Sequence, residues 1–262
     1  LLGGARVRGV RLDLRRPWQP ERGFPTVALV RSRYLGGDPV APPPGTLGLV
    51  TGRRGSGGTR WLEELAARER MRRTLWLRPR LGEPLGSLRR ALARAKEAQA
   101  ELDPGLSESL EAVLAGEGLD LDTSSELLSA LLRREDSSGL VLSDDAEQGD
   151  ADTLEAVVHG AGSGPFAVVA RVVAGLALPE ALQHLTRAFE VELGPLTSEL
   201  AVELVGQLSS GRLRGAEAKR WAERGGKLPL GVLASLSDAL ESAELALRED
   251  ALVRRATPAG AF

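Results

Sequence analysis

The sequence predicts an α/β fold in which helices cover both faces of a parallel β-sheet, giving three αβα layers, with a helical subdomain at the C-terminal end. Short apolar segments rich in Val, Leu and Ala alternate with longer segments whose apolar residues recur at helical spacing. This alternation is typical of parallel sheets, because parallel strands need a crossover connection between them. Beyond residue 196 the helical spacing continues without an intervening strand.

The composition is that of a globular protein. Of the 262 residues, 42% are hydrophobic and 27% are charged, and the formal net charge is -2. This balance gives no electrostatic basis for binding nucleic acid or an anionic membrane. Because cysteine is absent, disulfides, thiolate metal sites and cysteine nucleophiles are excluded. No apolar run approaches the length of a membrane span and no secretion signal is visible, so we expect a cytoplasmic protein.

Residues 1–46 are predicted to form an N-terminal extension. Alternating apolar and polar residues predict a half-exposed strand at 10–14, and a second short strand is expected at 26–30. The Pro/Gly-rich stretch 36–46 predicts a loop without regular structure. The chain starts with Leu1 and not with Met, so we expect it to be part of a larger protein that supplies further domains or protein partners.

Residues 47–195 are predicted to form the α/β core, and residues 196–262 a helical lid with a tail. The predicted strands are 47–50, 74–77, 139–142, 167–173 and 189–193. The first predicted helix starts near residue 60. The other predicted helices are 85–102, 107–115, 123–134 and 150–159 in the core, and 197–209, 215–224 and 229–247 in the lid.

A glycine-rich loop, 52–59 (GRRGSGGT), lies between the first core strand and the first core helix. In this context glycines let backbone N–H groups converge on an anion, and the start of the helix adds its positive dipole end. The pattern is that of the P-loop of nucleotide-hydrolysing proteins, in which the position of Thr59 supplies a hydroxyl ligand for Mg²⁺. The candidate nucleotide-binding residues are Gly52, Gly55, Ser56, Gly57, Gly58, Thr59 and Arg60.

The loop lacks the lysine that the P-loop pattern requires, because Gly58 stands at that position. This lysine bridges the phosphates and stabilises charge during phosphoryl transfer. Arg53, Arg54 and Arg60 are close in sequence, but none has the correct offset on the first helical turn. From the cost of removing other transition-state stabilisers, we expect hydrolysis to be slower by about 10²–10³-fold or more. A turn without any ligand is the alternative interpretation.

An apolar strand at 140–143 runs into two adjacent carboxylates, Asp144 and Asp145. Beside a P-loop, the first acid of such a pair orients Mg²⁺ and the second orients or activates the attacking water. Thr59 and Asp144 are therefore the candidate magnesium ligands, and Asp145 is the candidate catalytic residue. A solvated acidic turn is the alternative interpretation. The combination of the acidic pair with the loop at 52–59 favours the nucleotide-site interpretation.

In their order along the chain, these segments resemble the STAND-type modules, AAA+-related P-loop ATPases of bacterial signalling and transcription regulators. The resemblance extends over about residues 47–240 and involves 48–66 (GLVTGRRGSGGTRWLEELA), 140–157 (LVLSDDAEQGDADTLEAV), 189–205 (FEVELGPLTSELAVELV) and 223–236 (ERGGKLPLGVLASL). The spacing of Asp144, Asp145, Asp150, Thr153 and Leu154 also matches. The resemblance implies a parallel-sheet P-loop NTPase core that binds ATP or ADP with Mg²⁺ and switches between closed and open states. It also implies that Pro229 packs on the nucleotide base.

The chain departs from this family at several positions. Gly58 replaces the lysine, Lys227 replaces a glycine two residues before Pro229, and residues 146–149 lack the usual aromatic residue. The strand at 167–173 carries Arg171 near the point where the family has a polar sensor, so Arg171 is a candidate sensor. These losses together predict that the fold is retained while ATP chemistry is not.

The sequence therefore favours a degenerate ATPase module that acts as a regulatory scaffold or partner-binding domain in a larger signalling protein. A switch that still binds ATP or ADP, with weak or no hydrolysis, is the first alternative, and a true NTPase with an arginine in place of the lysine is another. A module of a DNA-linked transcription regulator is a further alternative, although no DNA-reading segment is visible in the chain. Whether ATP or ADP with Mg²⁺ binds at all stays open at this point.

Overall fold

The computed structural model describes residues 6–7, 10–11, 34–69, 72–79, 85–98, 104–116, 120–133, 138–242, 244–248 and 251–254. Contacts divide the chain into two compact units. One contains Gly36–Arg54 and Gly58–Leu193, and the other contains the chain from Gly194 onward together with Gly55–Gly57 and the N-terminal residues. The boundaries predicted at residues 46 and 195 stay a prediction.

Among the described residues, five parallel strands form the sheet of the first unit. They are β3 (Thr46–Gly52), β4 (Thr74–Leu77), β5 (Gly139–Ser143), β6 (Phe166–Val173) and β7 (Thr186–Leu193), and their order across the sheet is β4-β5-β6-β3-β7. Every residue of β5 and nearly every residue of β6 is buried, which explains their continuous apolar sequences. The edge strand β7 instead alternates in exposure. The predicted parallel α/β sheet is confirmed.

Helices cover this sheet and bury their apolar residues in one core. They are α1 (Gly58–Arg68), α2 (Gly86–Ala98), α3 (Pro104–Ala115), α4 (Leu121–Leu132), α5 (Ala151–Ser163) and the short α6 (Glu180–Gln183). In α1, for example, Trp61, Leu62 and Leu65 share the buried face. A single turn of 3-10 helix, Ala146–Gln148, follows the acidic end of β5.

The second unit is built from α7 (Ser198–Leu208), α8 (Gly215–Arg224) and α9 (Pro229–Glu241). Thr197 caps the start of α7 by accepting a hydrogen bond from the backbone N–H of Leu200 at 3.3 Å. Pro229 begins α9, where its missing N–H costs nothing. Trp221 lies at the centre of the core between these helices and is 2% exposed.

Two sequence expectations need correction. The predicted helix 229–247 is too long, because α9 ends at Glu241 and a hairpin of β8 (Leu245–Arg248) and β9 (Ala251–Arg254) follows, so the last part of the chain is not purely helical. Two short apolar runs, 245–247 and 251–253, form the two strands of this hairpin. The short helix α6 and the turn at Ala146–Gln148 were not predicted from the sequence.

The N-terminal predictions are tested only in part. Two-residue strands β1 (Arg6–Val7) and β2 (Val10–Arg11) pair antiparallel, so the strand expected at 10–14 is present at its first two residues. Residues 12–14 and the strand expected at 26–30 lie outside the described residues. The loop expected at 36–46 contains no helix or strand before Thr46.

Candidate phosphate site

The glycine-rich loop connects β3 to α1, as predicted. Gly52 is the last residue of β3, and its carbonyl accepts a hydrogen bond from the N–H of Ala174 at 2.9 Å. Gly55 and Gly57 have φ values of 85° and 97°, which only glycine adopts at low cost, and Ser56 between them is buried. The α1 helix then begins at Gly58, so its first N–H groups face the loop. Positive φ values at closely spaced glycines, as at Gly55 and Gly57, are typical of anion-binding nests.

In the second unit, the tip of this loop contacts the start of α9. The N–H of Leu230 donates to the carbonyl of Gly55 at 3.2 Å, and a Cβ built on Gly55 would lie 2.8 Å from the Leu230 Cβ. Pro229, expected from the resemblance to pack on a base, lies 3.7 Å from a Cβ built on Gly57. Lys227 has φ of 60°, a left-handed conformation that favours glycine. The glycine that the resemblance implies here would adopt this conformation without strain, whereas Lys227 adopts it with strain.

Two predicted magnesium ligands lie side by side in the first unit. The Thr59 hydroxyl on the first turn of α1 donates to Oδ2 of Asp144 at 2.8 Å. Asp144 follows the last residue of β5 and is 8% exposed, and its N–H bonds to the carbonyl of Leu77 on the neighbouring strand. Its other oxygen, Oδ1, is buried and makes no hydrogen bond with the described residues. The carboxylate is therefore aimed by the sheet and held on one side by Thr59.

Arg171 brings a positive charge to both acids. It lies on β6, which separates the P-loop strand from β5, and it pairs with Val50 of β3 in the sheet. Its Nη1 lies 3.5 Å from Oδ1 of Asp144 and donates a hydrogen bond to Oδ1 of Asp145. The Arg171 and Asp144 side chains are 9% and 11% exposed, whereas the Asp145 side chain is 40% exposed. The guanidinium therefore pairs with one buried and one partly exposed carboxylate.

The same arginine fills the space where a side chain at position 58 would begin. A Cβ built on Gly58 would lie 2.8 Å from Nε and 3.0 Å from Cγ of Arg171. Real Cβ contacts do not come this close to neighbouring atoms unless something moves. Gly58 is therefore required by the position of Arg171, and a lysine at 58 does not fit while Arg171 keeps this conformation.

Asp145 has an unusual backbone. Its φ of 50° and ψ of 47° place it in the left-handed region, at the start of the 3-10 turn, and its side chain does not cap that turn. The carboxylate is turned toward Arg171 instead. Glu147 follows on the turn, where Oε2 accepts a bond from the N–H of Val173 at 3.4 Å and Oε1 is buried without a hydrogen-bond partner in the described part of the chain.

The other arginines near the loop do not replace the lysine. Arg53 and Arg54 are exposed. Arg60, a predicted nucleotide-binding residue, pairs along its own helix with Glu63 at 3.4 Å and Glu64 at 3.9 Å. Arg171 was considered in the sequence only as a sensor, and its role beside Gly58 was missed. The available signal was a single charged residue inside an otherwise apolar strand.

The site residues fit a divalent cation poorly in this conformation. Thr59 and Asp144 are placed as a hydroxyl–carboxylate pair, but the free oxygen of Asp144 and the carboxylate of Asp145 both face the Arg171 guanidinium. A divalent cation between these carboxylates would be repelled by the guanidinium, so no reaction step through Mg²⁺ is derived for this chain.

Comparisons with known proteins find similarity to solved structures but not to family models or curated proteins. No protein-family model matches the sequence, and no curated protein matches it. Among solved structures, Cdc6p from Pyrobaculum aerophilum superposes with a TM-score of 0.51 at 16% identity, covering 76% of this chain and 54% of that chain. The chain has a three-layer α/β fold with a five-stranded parallel sheet, which matches that of Cdc6p.

Two further solved structures are similar at lower scores. A RuvB variant from Thermotoga maritima gives a TM-score of 0.48 at 15% identity, over 76% of this chain and 55% of that chain. The HORMA:CdnC:Trip13 complex of E. coli MS115-1 gives 0.46 at 16% identity, over 77% and 68%. The chain thus spans about half the length of the Cdc6p and RuvB chains. Across the described residues, no helix has the length and apolar content needed to cross a lipid bilayer.

Proposed function

We propose that this chain is a degenerate ATPase module, which keeps the AAA+ fold as a regulatory scaffold or partner-binding domain of a larger signalling protein and does not turn over ATP. The observation that carries the proposal is the pairing of the Arg171 guanidinium with Asp144 and Asp145 directly over Gly58. In this arrangement Gly58 has no room for a lysine side chain, and both the candidate metal ligand Asp144 and the candidate water-orienting acid Asp145 are paired with Arg171.

The physical reason for the lack of turnover is electrostatic. Phosphoryl transfer needs positively charged groups beside the transferred phosphoryl group, to stabilise its negative charge, and a free carboxylate near the attacking water. Here the nearest buried cation is already neutralised by two carboxylates, and the water-orienting candidate Asp145 is bonded to it. Catalysis would require Asp145 to leave Arg171, and the buried guanidinium would then keep only Asp144 as its partner.

A nucleotide-binding switch without hydrolysis is the second candidate. Two observations support it. Gly55 and Gly57 have the positive φ values that a phosphate-binding loop uses, and the Thr59 hydroxyl donates a hydrogen bond to Asp144. Losing a charge-assisted contact to a lysine weakens binding by about 1.5–3 kcal/mol, or roughly 10- to 150-fold, which leaves measurable affinity at millimolar nucleotide.

Two measurements on the full chain test these candidates. We expect no phosphate release from ATP above the level of an Asp145→Asn variant, which serves as the matched control for contaminating ATPases. Turnover that Asp145→Asn abolishes would refute the proposal. Calorimetry with ATP and ADP, with Mg²⁺ or with EDTA, then separates the two candidates, because a scaffold shows no heat of binding at millimolar nucleotide whereas a switch does. A Thr59→Ala variant provides the control for specific binding.

A further inference from the structure

The Arg171 side chain occupies two positions that a working nucleotide site would use for a lysine side chain and for a divalent cation. Its Nε and Cγ fill the volume above Gly58, where the P-loop lysine would leave the backbone. Its Nη1 faces both Asp144 and Asp145, the carboxylates expected to orient a divalent cation. One side chain from the neighbouring strand therefore stands in for a loop residue and for a metal ion.

We propose that Arg171 is a built-in counter-ion that closes this site to divalent metal, and that Gly58 and Arg171 form a matched pair in which the position of Arg171 requires glycine at position 58. The inference deepens the proposed function and rests on it, but its tests measure metal binding and stability and involve no turnover. The proposal makes Arg171 a positioning residue for the two carboxylates.

The steric half of the pair follows from close packing. Gly58 is buried at the first position of α1, and its neighbour Arg171 lies on β6, a strand in which all residues but the last are buried, so neither backbone can move aside easily. A methyl group at position 58 would lie 2.8 Å from Nε and 3.3 Å from Cδ of Arg171. The arginine must then leave its position or the helix must shift.

The electrostatic half follows from the charges that remain when Arg171 is neutralised. Asp144 is 8% exposed and Asp145 is adjacent to it in sequence, and Arg171 is the cation that pairs with both among the described residues. Without the guanidinium, two carboxylates and the Thr59 hydroxyl would face one another with uncompensated negative charge. Oxygen ligands of this kind are what Mg²⁺ and Mn²⁺ prefer.

Metal binding gives the first test, with Mn²⁺ as the probe and electron paramagnetic resonance as the readout of free ion. The native chain is expected to bind no Mn²⁺ at this site up to millimolar concentration. Arg171→Met, which keeps most of the side-chain volume, is expected to bind at least tenfold more tightly than the native chain, and Arg171→Met/Asp144→Asn is expected to lose that gain. Arg171→Gln, which keeps polar contacts to the carboxylates, provides a second uncharged variant if Arg171→Met does not fold.

Each outcome of this test decides the proposal. A gain of Mn²⁺ binding in either uncharged variant that depends on Asp144 supports it. Equal binding by the native chain and the uncharged variants overturns it, and so does a folded uncharged variant that binds no Mn²⁺, because Arg171 would then not be what excludes the metal. Turnover of ATP by the native chain would refute the proposed function separately.

Stability provides a second test that needs no ligand. Gly58→Ala is expected to lower the Tm of the native chain by about 3–10 °C, because the added methyl group would overpack against Arg171. In an Arg171→Ala background the same substitution is expected to change the Tm by less than about 2 °C, since the space is then free and alanine is the better helix former. An equal loss in both backgrounds would overturn the matched pair.

Discussion

Asp150 provides a sharp test of how the region behind the site is held together. It precedes α5, and its Oδ1 accepts the N–H of Thr153 at 2.9 Å, which caps the helix. The same carboxylate accepts the N–H of Leu85 at 3.0 Å and of Ser87 at 3.4 Å, at the start of α2. One side chain therefore caps two helices, and it also holds Leu85 at its left-handed φ of 54°.

The expected cost of Asp150→Ala can be estimated from these contacts. Loss of the helix cap costs about 1 kcal/mol. The N–H groups of Leu85 and Ser87 belong to residues that are 7% and 3% exposed, and a buried donor left unpaired costs about 1–3 kcal/mol, less for the long Ser87 bond. We therefore expect a total loss of about 2–4 kcal/mol in the free energy of unfolding, or a Tm lower by about 5–15 °C.

The measurement is urea unfolding followed by circular dichroism at pH 7, with Asp120→Ala as the control. Asp120 caps only α4, where its Oδ1 accepts the N–H of Thr123 at 2.8 Å. Hydrogen bonds from Thr123 lower the pKa of Asp120, so its contribution is present above the ordinary carboxyl pKa and is lost as the pH falls through the lowered value. The control is therefore intact at pH 7. Equal shifts in midpoint for both variants would refute the two-helix role of Asp150.

Two glycines are expected to be required for packing. A Cβ on Gly48 would lie 2.3 Å from the Phe189 ring, so Gly48→Ala is expected to lower stability by about 1–3 kcal/mol, and Gly48→Ala/Phe189→Leu should recover much of it in thermal melts; no recovery would contradict the assignment. A Cβ on Gly231 would lie 2.1 Å from the Gly225 carbonyl oxygen, so Gly231→Ala is expected to separate α8 from α9 and lower the Tm. Gly206 lies on α7, and a Cβ built on it would meet no atom within 4 Å, so Gly206→Ala should raise the Tm. If Gly206→Ala lowered the Tm as much as Gly231→Ala does, the packing explanation would be refuted.

The elements of the core could be predicted because their apolar periodicity is strong. The strand expected at 74–77 has those bounds, and the one expected at 139–142 extends by a single residue to Ser143. The short α6, Glu180–Gln183, could not be predicted, because four residues show no complete helical repeat. The hairpin after Glu241 was not predicted, because its first short apolar run, 245–247, directly follows the apolar residues of α9 and resembles a continuation of that helix.

The site could be predicted only where it is local in sequence. The loop at 52–59 and the pair Asp144–Asp145 were identified from their neighbours along the chain, and the structure places Thr59 against Asp144. Arg171 is 26 residues from Asp145 in sequence, and its contact with Gly58 depends on β6 lying between β3 and β5. Strand order is a property of the whole sheet, which no local pattern reports.

Some positions at which the chain matches or departs from the family that its sequence resembles serve the backbone conformation, and others determine the charge at the candidate site. Asp150 matches the family spacing, but its carboxylate is used for capping, and Lys227 departs from the family at a position where φ of 60° favours glycine for purely conformational reasons. Either residue would be needed by a scaffold as much as by an enzyme. Gly58 and Arg171, by contrast, together with the carboxylates they surround, determine where positive charge lies at the phosphate loop. The Mn²⁺ experiment on Arg171→Met is therefore more informative about function than further motif matches, because it tests whether this charge has replaced the metal.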